Sequence, residues 1–376
     1  MDLLERKAKS FERIISELPR DLAERLQTML VMKGVSVHTR LTYAQALGAW
    51  WRATGVDPVS ATREDIRRFL ESYEGYRKQT VDLFLGRLKT FVKWVNGDLT
   101  DAWKIIKSSK VDRELREKIL KPEEVKALIR AADKPKIKAI ISILYEGALR
   151  LGELCSLRMR DLEFTQYGFK VRVSGKTGER VIPLYDSAPY LRAWLQNHPN
   201  PRNPNMPLFT GKGLEPMKRE AVYAAIDRAA KRAGINKKVH PHMLRHTRLT
   251  ELAKTLTEQE LKVFSGWVKD SRMASVYVHL SGRDVEDAML KKVYGLSTVE
   301  EEAARPLKPE VCPNCGYMNP ADAKFCLKCG YPLSEEATRE LKTADELMER
   351  LLEEMLRDPE IRGSLIKWMS SRIRDR

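Results

Sequence analysis

The stretch His240-Pro241-His242-Met243-Leu244-Arg245-His246, with its continuation through Ser265-Gly266-Trp267 to Tyr277-Val278-His279, decides how this chain is read. Pro241 suits the first turn of a helix, where its missing N–H costs nothing. Leu249, Leu252, Ala253 and Leu256 follow at i, i+3, i+4 and i+7, the spacing of a buried helical face. His242 and Arg245 are three residues apart and project from one side of the first turn. A helix N-terminus attracts anions through its free N–H groups and its dipole. An imidazole and a guanidinium there predict a site for one phosphate. Downstream, Trp267 offers an indole N–H and Tyr277 a phenol. Each residue alone has a plainer reading as a packed or solvated side chain, so the weight falls on their order together with residues upstream.

Upstream, Ile137, Ile140, Ile141 and Leu144 form an almost wholly apolar helix, which should be central. It leads into Gly147-Ala148-Leu149-Arg150-Leu151-Gly152-Glu153-Leu154. A cation in that setting is costly unless partnered, and Glu153, three residues on, can orient Arg150. Phe169, Val171 and Val173 alternate with polar residues as in a strand. Gly175-Lys176-Thr177-Gly178 makes a tight turn, residues 180–184 give the return strand, and Lys176 at the tip can swing over what lies beneath. Residues 1–30 read as a helical arm that packs on a neighbour or on the next domain. Residues 31–107 read as a compact helical unit, with Thr62 as N-cap and Asp65 at the third helical position. Its helices carry Arg40, Arg63, Arg67, Arg68, Arg77, Lys78, Arg87, Lys89 and Lys93, which suit a grip on DNA phosphates. The alternative for these cations is a solvated face. Residues 108–119 are charged and read as a linker.

The chain has 376 residues, enough for two or three domains. Its net charge is +16 and its pI about 9.5, which favours nucleic acid ahead of membrane as a polyanionic partner. No run of about 18 apolar residues is present, and the N-terminus lacks a signal-peptide pattern. A cytoplasmic protein is expected. No Gly-rich nucleotide loop appears, nor a clear two-metal carboxylate set, so no cofactor for catalysis is expected. Cys155 lies in an apolar helix and reads as a small core residue.

Residues 298–309 are acidic, then Pro-containing, and read as a second linker. Cys312-Pro313-Asn314-Cys315 and Cys326-Leu327-Lys328-Cys329 then form two CxxC knuckles, each followed by Gly. Four thiolates suit a tetrahedral structural zinc in residues 310–333, and so small a unit should need metal to fold. A pair of disulfides, disfavoured in the cytoplasm, or an iron site are the alternatives. Such a ribbon can bind DNA, bind protein or only stabilise. In the tail, residues 337–376, Leu341, Ala344, Met348, Leu351 and Met355 follow a 3-4 stripe on a helix that Pro359 breaks. It packs on its own chain, makes a helix–helix contact with another protomer or a partner protein, or, as a lesser alternative, lies on a membrane surface.

Taken in order, Arg150, Lys176, His242, Arg245, Trp267 and Tyr277 resemble the catalytic signature of the tyrosine recombinases, the phage-integrase-like family. The resemblance covers roughly residues 35–297, and residues 266–287 look most like archaeal members. Trp267 stands where many members carry His. The resemblance implies a mainly helical fold with a small antiparallel sheet, made of a helical core-binding domain and an α+β catalytic domain (120–297). It implies that Tyr277 attacks a DNA phosphodiester and forms a 3′-phosphotyrosine. Arg150 and Arg245 would clamp the phosphate, and Lys176 would protonate the leaving 5′ oxygen. His242 would help the Tyr277 proton leave or hold the phosphate. Trp267 would donate its indole N–H, and Glu153 would support Arg150. It also implies homo-tetramers on paired double-stranded DNA sites, with a helix over residues 284–294 packing into a neighbour. The expected role is integration or excision of an archaeal mobile element. The alternatives are a resolver of chromosome dimers, a catalytically silent DNA-binding regulator, or a type IB topoisomerase.

Overall fold

The computed structural model describes residues 3–106, 119–175, 178–281 and 305–374, and the chain divides into two compact units, Met1–Val111 and Asp112–Arg376. The expected first linker and the expected helix over residues 284–294 lie outside the described residues, apart from Ile119.

The first unit is helical: α1 (Leu3–Ser16), α2 (Arg20–Met32), α3 (Val37–Thr54), α4 (Arg63–Ser72), α5 (Lys78–Asn96) and α6 (Asp101–Lys104). Local chemistry sets its boundaries. Ser36 caps α3 by accepting from the Thr39 N–H, and Gly55 ends it in the left-handed region at φ 66°. Thr62 and Asp65 form the reciprocal capping box at the start of α4. The first thirty residues do not stand apart. Ile14, Ile15, Leu18, Leu22, Leu26 and Met29 share one core with Leu47, Trp50, Phe69 and Leu88, so the arm packs on the segment that follows it. Trp50 is fully buried, with ring centroids 5.3 Å from Phe69 and 5.1 Å from Trp103. Both buried indoles find acceptors, Trp50 on the Val56 carbonyl (2.7 Å) and Trp103 on the Pro58 carbonyl (2.8 Å).

The cations of this unit divide. Arg63, Arg77, Lys78 and Lys93 are exposed. Arg67 pairs with Glu64 and Glu71. Arg87 lies over the Tyr43 ring at 4.7 Å, and Lys89 donates to the Ile106 carbonyl. Part of the basic set therefore serves the unit's own structure.

The second unit opens with α7 (Pro122–Arg130), α8 (Pro135–Glu146) and α9 (Leu151–Ser156). An antiparallel sheet follows in the order β1 (Leu162–Thr165), β2 (Gly168–Gly175), β3 (Gly178–Leu184). Then come α10 (Ala188–Gln196), α11 (Arg219–Arg232), α12 (Pro241–Thr255), α13 (Glu258–Ser265) and α14 (Met273–Ser281). The apolar helix α8 is central as expected: it packs on α10, α11 and α12, and its Ile140, Ile141 and Leu144 are wholly buried. Phe169, Val171 and Val173 of β2 and Ile182 and Leu184 of β3 fill the same core. β1 was not expected from the sequence. Lys176 and Thr177 lie outside the described residues.

The C-terminal part carries a two-stranded ribbon, β4 (Glu310–Val311) and β5 (Met318–Asn319), then α15 (Glu335–Arg357) and α16 (Pro359–Arg374). The end of the expected second linker is tied down. Arg305 pairs with Asp186, and Leu307 is buried in the core around α8. Asp322 of the ribbon, itself buried, pairs with Lys138 of α8. The ribbon is thus docked on the helix at the centre of this unit. The stripe on α15 is not packed in this way: Leu347, Met348, Leu351, Leu352 and Met355 are all exposed.

Candidate active site

The site is built around one buried carboxylate. Glu153 sits in the first turn of α9, and Arg150 is the residue that precedes that helix. The Arg150 N–H donates to one Glu153 oxygen and its Nη1 to the other, both at 2.8 Å. Arg180 reaches the same carboxylate from β3 with Nη1 at 3.0 Å and Nη2 at 2.9 Å, and its Nε donates to the Phe264 carbonyl at 3.0 Å. Burial alone would raise the Glu153 pKa, but these donors prevail and hold it below the ordinary carboxylate value. Arg180 was not singled out from the sequence. The signal was there: in β3 it shares its face with the buried Ile182 and Leu184, and an inward guanidinium needs a partner.

Arg245 comes from α12, whose start is fixed by Pro241 and by the His240 Nδ1, which accepts from the Met243 N–H at 3.1 Å. Its guanidinium is buried and donates to the Ala148 carbonyl and, at 2.9 Å, to the Ser265 carbonyl. Ala148 adopts φ 45°, a costly conformation for a residue with a Cβ. Burial first, then repulsion from Arg150, lowers the Arg245 pKa to about 10. Gly266 closes the ring of contacts. Its left-handed φ of 66° ends α13, its carbonyl accepts from Arg150 Nη2 at 3.3 Å, and a Cβ on it would come within 2.7 Å of Arg180 Nη1. Only glycine meets both demands without displacement.

Three guanidiniums, Arg150, Arg180 and Arg245, therefore gather around a single carboxylate. A desolvated cluster with that excess of positive charge is complementary to an anion such as a phosphodiester. The Arg150 side chain is 33% exposed, so the excess charge faces outward. His242 is exposed and lines an open cleft of about 750 Å³ together with Tyr223, Lys238 and His240. Desolvation, then the Arg245 and Arg150 cations, holds its pKa below the ordinary imidazole value.

Tyr277 lies in α14, 1% exposed, with Trp267 stacked on its ring at 5.4 Å and 19°. The Arg245 guanidinium lies 5.8 Å from the Trp267 ring centroid. Burial raises the Tyr277 pKa to about 12, against the lowering pull of Arg245. The hydroxyl is 2.5 Å from His246 Nδ1. His246 is a second residue that sequence reasoning passed over, although its four-residue offset from His242 places both on one helical face. The described structure thus brings together Arg150, Glu153, His242, Arg245, Trp267 and Tyr277. Lys176 is the expected site residue that falls outside it.

The four cysteines form a separate centre. Their sulfurs all lie within 4.8 Å of one another, with Cys312–Cys329 and Cys315–Cys326 at 3.6 Å. Four Zn–S bonds of about 2.3 Å have tetrahedral edges of about 3.8 Å, whereas a disulfide needs about 2.05 Å. The set fits one tetrahedral metal ion, and all four thiols are free of disulfides. Gly316 and Gly330, at φ 69° and 75°, make the two turns, and their N–H groups return to the Cys312 and Cys326 carbonyls.

Comparison with known proteins agrees with this geometry. Residues 118–283 match the model of the phage integrase family, and residues 311–333 match a zinc-ribbon domain. The tyrosine recombinase XerA of Pyrococcus horikoshii is 30% identical over 243 residues, 62% of this chain and 79% of the relative. A tyrosine recombinase of Thermosipho africanus is 27% identical over 68% of this chain and 93% of its own. Among solved structures, a lambda integrase tetramer bound to a Holliday junction aligns with a TM-score of 0.54 at 18% identity, over 70% of this chain and 78% of that one. The XerH recombinase in a post-cleavage complex with its palindromic difH substrate aligns at 0.53 and 17%, over 77% and 95%. The fold, the clustered arginines and these likenesses converge: the chain belongs to the phage integrase family of tyrosine recombinases.

Proposed function

We propose that this protein cuts and rejoins double-stranded DNA at specific sites through a 3′-phosphotyrosine formed on Tyr277. The observation that carries the reading is the excess of guanidinium charge around Glu153, one ring away from a tyrosine hydroxyl. Arg150 and Arg245 offset the charge that gathers on the non-bridging phosphate oxygens during attack. Planar donors fixed in advance by carbonyl and carboxylate partners do this without reorganisation. Arg180 touches no substrate in this account; it holds Glu153, which aims Arg150. Trp267 packs the nucleophile and offers its indole N–H, His242 holds the phosphate from the open side, and Lys176 protonates the leaving 5′ oxygen. A DNA substrate nicked beside the cleavage point tests the reading, because the fragment diffuses away and an enzyme stays covalently attached. Wild-type protein accumulates the adduct and Tyr277→Phe binds the same DNA without forming it. An adduct on the Tyr277→Phe protein contradicts the assignment.

The exposed cations of the first unit suit a grip on the DNA backbone. Assembly into a tetramer on paired sites goes with this reading, and lambda integrase offers the solved precedent. The exposed stripe of α15 suits a contact between protomers, and deletion of residues 338–376 should then lower the mass measured by light scattering. Zinc is the metal that four thiolates at these separations favour, in a structural role, with one zinc per chain expected by elemental analysis. No described helix is long and apolar enough to cross a membrane. The biological setting we favour is integration or excision of an archaeal mobile element, with resolution of chromosome dimers as the second reading. Sequencing the junctions left in cells that carry the gene separates them: an excised circle with an empty chromosomal site supports the first.

A further inference from the structure

The resemblance to the family leaves His242 either to help the Tyr277 proton leave or to hold the phosphate. The geometry gives the proton a different partner. His246 Nδ1 lies 2.5 Å from the Tyr277 hydroxyl, while the His242 ring centroid is 6.2 Å from that of His246. The rings of His246 and Trp267 both stack on the phenol, at 5.8 Å and 24° and at 5.4 Å and 19°. The same helix α12 carries His246 and, next to it, Arg245, whose guanidinium is pinned to the carbonyls of Ala148 and Ser265. One rigid element thus presents both a phosphate clamp and an imidazole on the phenol. We propose that His246 is the base that takes the Tyr277 proton as the phenol attacks the DNA phosphate, and that returns it when the strands rejoin. His242 is then left to the phosphate. This inference rests on Tyr277 being the nucleophile.

The chemistry requires such an acceptor. A buried phenol whose pKa has risen to about 12 is almost wholly protonated near neutral pH, so its proton must leave as the new bond forms. A base serves only within hydrogen-bond reach, about 2.6–3.2 Å or one water away. The step balances. The Tyr277 O–H bond breaks and its proton passes to neutral His246 Nδ1. The phenol oxygen bonds to phosphorus, and the phosphorus–5′ oxygen bond breaks with its electron pair on that oxygen, which is protonated by the acid of the proposed mechanism. In rejoining, the 5′ hydroxyl attacks the phosphotyrosine and the His246 imidazolium returns its proton to the departing phenol. On α12, His242 lies one turn before His246 and Arg245 directly beside it in sequence, and Tyr277 faces His246 from α14.

The test uses the full chain on nicked substrates in single-turnover cleavage, with wild type, His246→Asn and His246→Ala. Asn keeps an acceptor near Nδ1 but cannot carry the proton. The expected result is a loss of about 100-fold or more in the rate of adduct formation for both variants, at unchanged DNA binding. Replacing the bridging 5′ oxygen by sulfur, a leaving group that needs no proton, leaves that loss in place, because the defect lies at the nucleophile. Added imidazole restores part of the His246→Ala rate. Cleavage by His246→Asn within about 3-fold of wild type overturns the proposal, and so does erasure of the defect by sulfur. If the Asn variant does not fold, failure of imidazole to rescue a folded, DNA-binding His246→Ala protein overturns it. If wild-type protein itself forms no adduct, the nucleophile reading falls instead.

Discussion

The arginine site and the cysteine ribbon are both small constellations, yet they are held in opposite ways. The ribbon is local: its four cysteines span residues 312–329, its two knuckles repeat the same turn, and a metal held by them would supply the missing core. The arginine site is assembled from residues 150, 153, 180, 245, 266 and 277, which meet because α8, the sheet and the start of α12 share one core while the rest of α12 packs with α13 and Tyr277 of α14 in a second. A local site should fail by itself when its metal is removed. A distributed site should fail by charge, and its failure should reach the fold through Glu153.

The largest expected effect lies in the distributed site. Arg245→Ala and Arg150→Ala should each lower the cleavage rate on nicked DNA by about 100-fold to 1,000-fold. Arg245→Lys should recover little, because a single ammonium nitrogen lacks the planar fork that reaches the Ala148 and Ser265 carbonyls and still offers directed donors to a phosphate. A Lys variant close to wild type would show that charge alone suffices.

Next comes Glu153→Gln. Breaking a buried ion pair by removing one partner costs about 3–5 kcal/mol, and here two guanidiniums lose it. The sign with pH follows from a lowered carboxylate pKa. The stabilisation is present above the ordinary Glu pKa of about 4.3 and is lost as pH falls through the depressed folded value. Thermal melts of wild type should decline on that acid limb, and melts of Glu153→Gln should be lower and flatter there.

A smaller effect is expected where the ribbon meets α8. Chelation or Cys312→Ser should release the ribbon while the α8 core stays folded, as circular dichroism would report. Asp322→Asn should weaken the contact with Lys138 and lower the melting temperature by about 2–4 °C, the shift that about 1 kcal/mol gives a domain of this size. Collapse of the whole unit on chelation would mean that the ribbon is part of the core and not a docked module.

The sequence showed these regions unequally. The ribbon was fully legible, since CxxC spacing with following glycines encodes it within eighteen residues. The helices of the first unit were legible from caps such as Thr62 and Asp65. The arginine site was legible only jointly, through the order of its residues. Arg180 escaped although its alternation with Ile182 and Leu184 places it on the inward face of β3, because its partner Glu153 lies twenty-seven residues away. His246 escaped because it sits beside Arg245, and adjacency in sequence says little about which ring meets a tyrosine thirty-one residues on. β1 escaped because four residues with an exposed Phe164 carry no firm alternation.

On this reading the excess guanidinium charge is a seat for one DNA phosphate. A crystal structure of the Tyr277→Phe protein on its DNA site tests this most directly. The scissile phosphate should be bonded to both Arg150 and Arg245, with residue 277 facing the phosphorus. A cleavage-site phosphate bound elsewhere, with either arginine still held only by protein partners, would contradict it.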